Sequence, residues 1–446
     1  MACDDGDITC QNTAAIEANK EAVNELLLVV STGFILLMQA GFALVENGTV
    51  RSKNSRNILA KNMFDAAAGA VMFFLFGFGI AFGLKCRENC DPDSELEEVP
   101  RRFIGSQYFA GSGFADSGDN LYTLWIFQYS FAATASTIVS GSLAERTKLP
   151  SYMLFSALMT GFIYPVVVAW TWGGGWLTQN GFHDFAGTGI VHMVGGVAGL
   201  VGAMIIRPRY GKEKDPALRP KVQEIEGYKE LVDSFEDKEG FEEFLQDEAE
   251  DLDFEPHSIP FVVVGTVLLW VSWLFFNGGS TADMFQPREN GISKIILNTI
   301  LSGTCGGLTA SVAKPLIMGT YSQSRRYDVS ALCNGLLAGL VAITGACDRV
   351  DPWAAIVIGI IGGIVYSAAC KLCDVITADD PIEASSVHGF AGMWGLIAVG
   401  IFDNAEGLVS GAESGKGSFL LWQLIGMFAI ILWVALMSAI YFFIMK

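Results

Sequence analysis

The stretch Asp184-Phe-Ala-Gly-Thr-Gly-Ile-Val-His192-Met-Val-Gly-Gly-Val-Ala-Gly-Leu-Val-Gly-Ala203 decides the fold. It sets a histidine inside a glycine-rich apolar run long enough to lie in a membrane, where an ionisable side chain points to function by default. Near the other end of the chain, Val387-His388-Gly-Phe-Ala391-Gly392-Met-Trp-Gly395-Leu396 repeats the frame of Val191-His192-Met-Val-Gly195-Gly196-Val-Ala-Gly199-Leu200, with the histidine at the same place. Two membrane histidines related by an internal duplication are expected to meet at the pseudo-symmetry axis, where repeat-built transporters keep their substrate path.

Composition agrees with a polytopic helical membrane protein and excludes a soluble domain: the 446 residues are 51% hydrophobic, with 50 glycines and 31 phenylalanines. The net charge of -19 is largely local, because residues 211–255 alone hold 17 Asp+Glu against 6 Lys+Arg. That segment reads as an acidic cytoplasmic insert, and its Val222-x-x-Ile225 and Phe235…Phe241-x-x-Phe244-Leu245 spacings suggest short amphipathic helices. Residues 1–24 read as a polar extracellular segment without the basic and apolar regions of a cleavable signal peptide, and 25–446 as one membrane domain.

Apolar stretches near the length of a membrane span occur at 25–46, 63–84, 121–143, 150–170, 185–206, 259–279, 292–313, 329–346, 353–372, 386–402 and 418–445, the eighth and tenth being the shortest. With the N-terminus outside, inner loops hold Arg51, Lys53, Arg56, Lys61, Arg146, Lys148, Lys314, Arg325, Arg326 and Lys371, while most outer loops carry one basic residue or none. The loop 85–120 is the exception, and its basic residues are outnumbered by acids. The C-terminus is then cytoplasmic. The duplication extends beyond the histidines: Ile138-Val-Ser-Gly141, Ala144-Glu145-Arg146, Pro150, Gly161 and Tyr164 are echoed by Ile343-Thr-Gly345, Cys347-Asp348-Arg349, Pro352, Gly363 and Tyr366. Because five spans separate the copies, the expected fold is all-α with eleven transmembrane helices, an inverted five-plus-five repeat with one helix added.

The motifs then become specific. Ala40-Gly41-Phe42-Ala43-Leu44-Val45-Glu46, Phe127-Gln128-Tyr-Ser-Phe131-Ala132-Ala133-Thr134, Gly141-Ser-Leu-Ala144-Glu145-Arg146-Thr147 and Trp172-Gly173-Gly174-Gly175 occur in that order. They are followed by Asp184-Phe185-Ala186-Gly187 leading to His192, Trp273-Leu-Phe-Phe276-Asn277-Gly-Gly279-Ser280, and Asp379-Asp380-Pro381-Ile-Glu383 leading to His388. From about residue 25 to 445 the chain resembles an ammonium transporter of the Amt/Mep/Rh family, on the Amt branch.

The resemblance implies a plasma-membrane homotrimer with one pore per subunit. It implies an outer recruitment site for ammonium at Phe131, Trp172 and Ser280, narrowing at Phe131 and Phe276, and below it a hydrogen-bonded twin histidine, His192 with His388, lining a hydrophobic pore. The chemistry fits independently, since aromatic faces and a hydroxyl hold a small cation. A bare charge is costly deeper down, and an imidazole with an unperturbed pKa of about 6.5 can take and pass a proton. For a lone aromatic, the reading as interface belt or core would win; the whole constellation reverses that. Asp184 is expected to cap the fifth span, with a structural and electrostatic role. Trp273 supports the same site, and Glu383 is read either as the symmetric partner of Asp184 or as a solvated mouth acid. Asp65 is expected to pair with a neighbouring helix, and His183 and His257 to be loop residues.

Two alternatives stand beside ammonium transport. One is a Rhesus-like ammonia or carbon dioxide channel, against which Trp172 and Ser280 argue; the other is a membrane ammonium sensor signalling through the acidic insert. An enzyme is not expected. No nucleotide loop, no nucleophile–base pair and no metal-ligand cluster beyond the two histidines stands in the sequence, so no cofactor, metal or nucleic-acid partner is expected. Cys3, Cys10, Cys86 and Cys90 fall in outer segments where disulfides can form, whereas Cys370-x-x-Cys373 lies at an inner helix end. The sequon Asn47-Gly48-Thr49 falls on the inner side. The sequence stops at Lys446, directly after the last span, without the long cytoplasmic tail that couples subunits in many members of the family it resembles. Either regulation through such a tail is in doubt or the tail lies beyond this sequence.

Overall fold

The computed structural model describes residues 8–83, 103–116, 120–209, 212, 254–285, 291–320, 328–409 and 416–446, with the side chains of 8–11 and 416 left aside. The amphipathic stretches of the insert and the cysteines Cys3, Cys86 and Cys90 lie outside them, as does the side chain of Cys10. Among the described residues eleven long helical rods coincide with the eleven expected spans. They are α1 (Ile8–Thr49), α2 (Ser52–Phe82), α3 (Leu121–Ser142), α4 (Leu149–Trp170), α5 (Thr188–Ile206), α6 (Ile259–Gly279), α7 (Ile292–Met318), α8 (Val329–Ile343), α9 (Pro352–Val375), α10 (Ser385–Phe402) and α11 (Lys416–Met445). Nine are long and apolar enough to cross a membrane. Of the other two, α8 is short, and α3 is rich in buried serine and threonine.

Local chemistry sets the helix ends. Pro150, Pro260 and Pro352 stand in the first turns of α4, α6 and α9, where a missing N–H is harmless. Asn120 caps α3 by accepting from the Thr123 N–H, and Asp328 caps α8 by accepting from the Ala331 N–H. These are matching helices of the two copies.

The inverted sense of the repeat is written in the contacts. Along α1 and α6, the first helices of the copies, Ser31 meets Gly279, Phe34 stacks on Phe275 at 3.8 Å, Gly41 meets Gly265 and Gly48 meets Ser258. One series ascends as the other descends, so the helices run antiparallel. The fifth helices repeat the relation: Gly196 of α5 packs on Gly389 of α10, and Gly392 of α10 packs on Met193 of α5. A Cβ on Gly196 would stand 2.1 Å from the Gly389 nitrogen, so only glycine permits this approach between helices, as in membrane interfaces generally. Around this centre the most apolar window of α5 is 72% buried, whereas that of α11 is only 28% buried, which puts α11 on the rim.

Four segments of the rods are π-helical, Phe73–Gly77, Met159–Ile163, Thr188–Met193 and Ser385–Phe390. The last two carry the histidines. A wide turn of this kind is common at functional sites, and its occurrence at matching places makes it part of the repeated design.

One expectation needs correction. Lys61, taken for an inner-loop cation, lies inside α2 and is fully buried, because the helix begins at Ser52 rather than near residue 63. Residues 8–24 of the polar N-terminal segment are helical and continuous with α1. Asn47 of the sequon is in α1 and 5% exposed, which leaves no room for a glycan.

Candidate functional site

The loop before α5 fixes the site. Asp184 accepts four backbone N–H groups, Gly187 and Thr188 on Oδ1 and Gly189 and Ile190 on Oδ2, at 2.8–2.9 Å. That satisfies the free donors of the first turn, as expected of it. The turn requires Gly187, whose φ of 103° suits no side chain. The same loop is bonded to the end of α8 through Phe185 N–H to Gly345 O and Ala186 N–H to Thr344 O. Trp172 is fixed in turn, its indole Nε1 donating to the Asp184 carbonyl at 2.8 Å.

From there a file of rings runs inward. Trp172 lies edge-on to Phe131 at 5.6 Å, and Phe131 meets Phe276 at 4.5 Å. Phe276 lies 5.3 Å from His192, and His192 lies 5.3 Å from His388 with the ring planes 22° apart. Trp273 stacks on His192 at 4.8 Å and donates its indole N–H to Thr344 Oγ1 at 2.9 Å. Phe42 of α1 closes on His388 at 5.9 Å. At the mouth, the Ser280 hydroxyl donates to the Phe276 carbonyl at 2.8 Å, which leaves its lone pairs for a donor. All nine residues singled out from sequence are thus described, and seven of them, Phe131, Trp172, His192, Trp273, Phe276, Ser280 and His388, line or adjoin this file.

The histidines differ from the hydrogen-bonded pair implied by family resemblance. Among the described residues no hydrogen bond joins them: the rings stack, and both His192 nitrogens and His388 Nδ1 are buried without a hydrogen-bond partner. Each ring also packs against an aromatic neighbour, His192 against Trp273 at 4.8 Å and His388 against Phe42 at 5.9 Å. Buried imidazole nitrogens left unpaired in an aromatic passage present donor and acceptor sites to a small polar species.

Glu383 does not take the place symmetric to Asp184. Its carboxylate pairs with Lys314 Nζ at 2.6 Å and accepts from Tyr366 Oη and Asn334 Nδ2. Burial alone would raise it, but these partners hold it down at about 2. The symmetric place belongs to Asp380, which stands eight residues before His388 as Asp184 stands eight before His192. That spacing was legible in the sequence.

Around the same mouth, burial pushes the Asp379 carboxyl up, while Arg209, Lys212 and Arg146 hold it well below the usual range. Arg209 also reaches Glu145, which pairs with Arg51 at 2.8 Å. The ring of Phe254 is flanked by Arg51, Arg209 and Lys212 at 4.6, 4.8 and 5.7 Å. Lys212 and Phe254, at the two borders of the insert, are therefore joined at one point. At the opposite mouth, His183 lies 3.5 Å from Asp348, and at the insert's end His257 lies against the Val50 carbonyl. Both are loop residues, as expected.

Asp65 finds its neighbours on α3, accepting from Ser136 and Thr137 at 2.7 and 2.8 Å. With Glu46, which accepts from Ser140 and Asn62, and with Lys61, whose Nζ has no hydrogen-bond partner and lies 5.5 Å over the Tyr152 ring, it forms a buried group of ionisable side chains among α1, α2 and α3. Sequence reasoning singled out only Asp65 from this group.

Comparison with known proteins follows the same lines. A sequence model of the Ammonium Transporter Family matches residues 26–225 and 242–446. A putative ammonium transporter of Synechocystis is 37% identical over 423 residues, covering 93% of this chain and 84% of that protein. The ammonium transporter Amt2 of Archaeoglobus fulgidus is 35% identical over 429 residues, covering 92% and 80%. Among solved structures, a sensor Amt protein superposes with a TM-score of 0.78 at 29% identity, covering 96% of this chain and 94% of that one. Mep2 of Saccharomyces cerevisiae superposes at 0.70 with 27% identity, covering 94% and 86%. Two copies of a five-helix unit, inverted and joined at paired histidines, carry the sequence of a known group of membrane proteins: the chain belongs to the ammonium transporter family.

Proposed function

We propose that this protein carries ammonium across the plasma membrane, with its N-terminus outside and its C-terminus in the cytoplasm, as a homotrimer with one pore in each subunit. The single observation that carries the reading is the unbroken file Trp172, Phe131, Phe276, His192, His388, in which successive rings are 4.5–5.6 Å apart. Ammonium is held at the Trp172 face and the Ser280 hydroxyl, where cation–π attraction replaces part of its hydration. It gives up a proton to water at the mouth before passing the aromatic pair, since ammonia crosses the apolar passage at far lower cost than the ion. The unpaired histidine nitrogens then take ammonia in, and the imidazoles handle the proton. Asp184 keeps the first turn of α5 in place, Trp273 holds the His192 ring by stacking, and Glu383 anchors the far mouth through Lys314.

Reconstituted protein exposed to ammonium and methylammonium gradients at several pH values tests this. Saturable flux that excludes potassium is expected. Current that accompanies the flux marks a relayed proton, and flux without current marks ammonia alone. Absence of ammonium flux in intact protein overturns the reading.

A second reading is favoured by likeness to the sensor Amt protein and by the insert's two borders meeting at the Asp379 mouth. In it, ammonium binds the same site and the acidic insert signals. Loop-dependent signalling without flux would establish it in place of transport.

A further inference from the structure

The pseudo-two-fold axis pairs Asp184 with Asp380, and the two carboxylates are used differently. Asp184 is consumed by its turn, with both oxygens accepting two N–H groups each. Asp380 spends a single oxygen, Oδ2, on the Ser385 N–H at 2.7 Å and the Ser142 hydroxyl at 3.1 Å, while Oδ1 is buried without a hydrogen-bond partner. An orphaned carboxylate oxygen at a helix start is costly unless something completes it.

Its surroundings say what would. Asp380 borders a cavity that also touches Cys373, Asp379, Glu383, Ser386 and Lys212. Ser386 and His388 stand on the same π-helical segment, two residues apart, so the cavity lies within a turn of the histidine file along α10. The two neighbouring acids are already neutralised, Glu383 by Lys314 and Asp379 by Arg209, Arg146 and Lys212. Arg146 acts on Asp380 by charge but bonds elsewhere, its terminal nitrogens going to Asp379 and to the carbonyls of Ser142 and Arg207 while its Nε has no hydrogen-bond partner. Asp380 has no ion-pair partner among the described residues.

We propose that Asp380, with the Ser386 rim, is a second ammonium-binding site, at the mouth opposite Trp172, which holds the ion by charge and hydrogen bond where the first site uses aromatic faces. The chemistry is that of a small hydrogen-bonding monocation, ammonium or methylammonium. The site deepens the transport reading and rests on it.

The test is sidedness. In reconstituted vesicles of one orientation, Asp380→Asn keeps an acceptor for the Ser385 N–H and removes the charge. It is expected to raise the half-saturation for ammonium offered from the Asp380 side, relative to that from the Trp172 side, by about tenfold. Trp172→Leu should move the same ratio the other way. A ratio unmoved by Asp380→Asn overturns the second site and leaves transport standing; wild-type protein that moves no ammonium from either side overturns both. Should the variant fail to fold, wild-type protein answers through Cys373, which borders the same cavity. Ammonium is expected to slow labelling of Cys373 by a cationic thiol reagent, with Cys373→Ser as the blank. Equal labelling with ammonium and with sodium overturns the site.

Discussion

The two inverted halves share a plan and bury different things. Between α1, α2 and α3, the first half encloses Glu46, Lys61 and Asp65, exposed by 0%, 0% and 1%. The corresponding space between α6, α7 and α8 is filled by neutral groups, with Asn277 bonded to Thr299 and Ser302 bonded to the Gly339 carbonyl. The second half's lysine, Lys314, sits toward its mouth and is fully paired with Glu383. Gly196, Gly389, Gly392 and the two histidines are held alike by both halves, because each must touch its opposite number. What lies away from that contact is free to diverge. The duplication therefore constrains the seam and leaves the flanks to other demands.

The seam should be broken most severely. His192→Ala and His388→Ala are each expected to cut ammonium selectivity or flux by about 100-fold or more, with potassium entering once the proton relay is gone. The double variant should resemble either single one, since the rings act as one unit. Measured flux and reversal potentials decide it. Losses that multiply would show that the halves work independently.

The flanks should separate next. Lys314→Met leaves the Glu383 carboxylate without its cation and is expected to destabilise the protein by about 3 kcal/mol, the lower end for a broken buried pair because Glu383 keeps some solvent. Lys61→Met removes a buried ammonium that has no hydrogen-bond partner, which relieves its desolvation but deprives Glu46 of a nearby positive charge. The two effects oppose each other, and the loss should be smaller than for Lys314→Met, about 1 kcal/mol or less. Thermal unfolding in detergent compares them. Equal losses would mean that Lys61 is as firmly paired as Lys314.

The mouths differ as the flanks do, aromatic on one side and acidic on the other. Trp172→Leu with Ser280→Ala should weaken apparent ammonium affinity by about 1–3 kcal/mol, with the fold intact. An unchanged half-saturation in the double variant removes the aromatic recruitment site. The smallest effect is expected from deleting 213–250 and bridging the gap with a short Gly/Ser linker, because the segment lies between complete spans. Uptake should persist. A variant that reaches the membrane and transports nothing would make the insert part of the gate.

Hydropathy and the repeated histidine unit were enough to anticipate every long helix and the antiparallel relation of the halves, since both follow from where apolar runs fall and how many there are. The ring file was legible through residue types and motif order. Lys61 was not, because a charged residue ends an apolar window even when a helix carries it inward, over an aromatic ring. Glu383 was left between two readings, mate of Asp184 or mouth acid, for a related reason: both acids precede a histidine, and only the eight-residue count singles out Asp380. That the histidines stack rather than hydrogen-bond follows from how the rings of α5 and α10 pack among their aromatic neighbours, which residue pattern does not specify.

Lys212 and Phe254 meet across a cation–π contact of 5.7 Å, so the chain departs for the insert and returns at nearly one point. For protein engineering that is a splice port. A foreign domain whose ends lie close together, as those of most domains do, can replace the insert without straining the helices, since loop-closure cost rises only slowly with length. A fluorescent protein grafted there would sit over the Asp379 mouth, where a shift of the Arg209–Asp379 pair would reach its chromophore as a change in brightness.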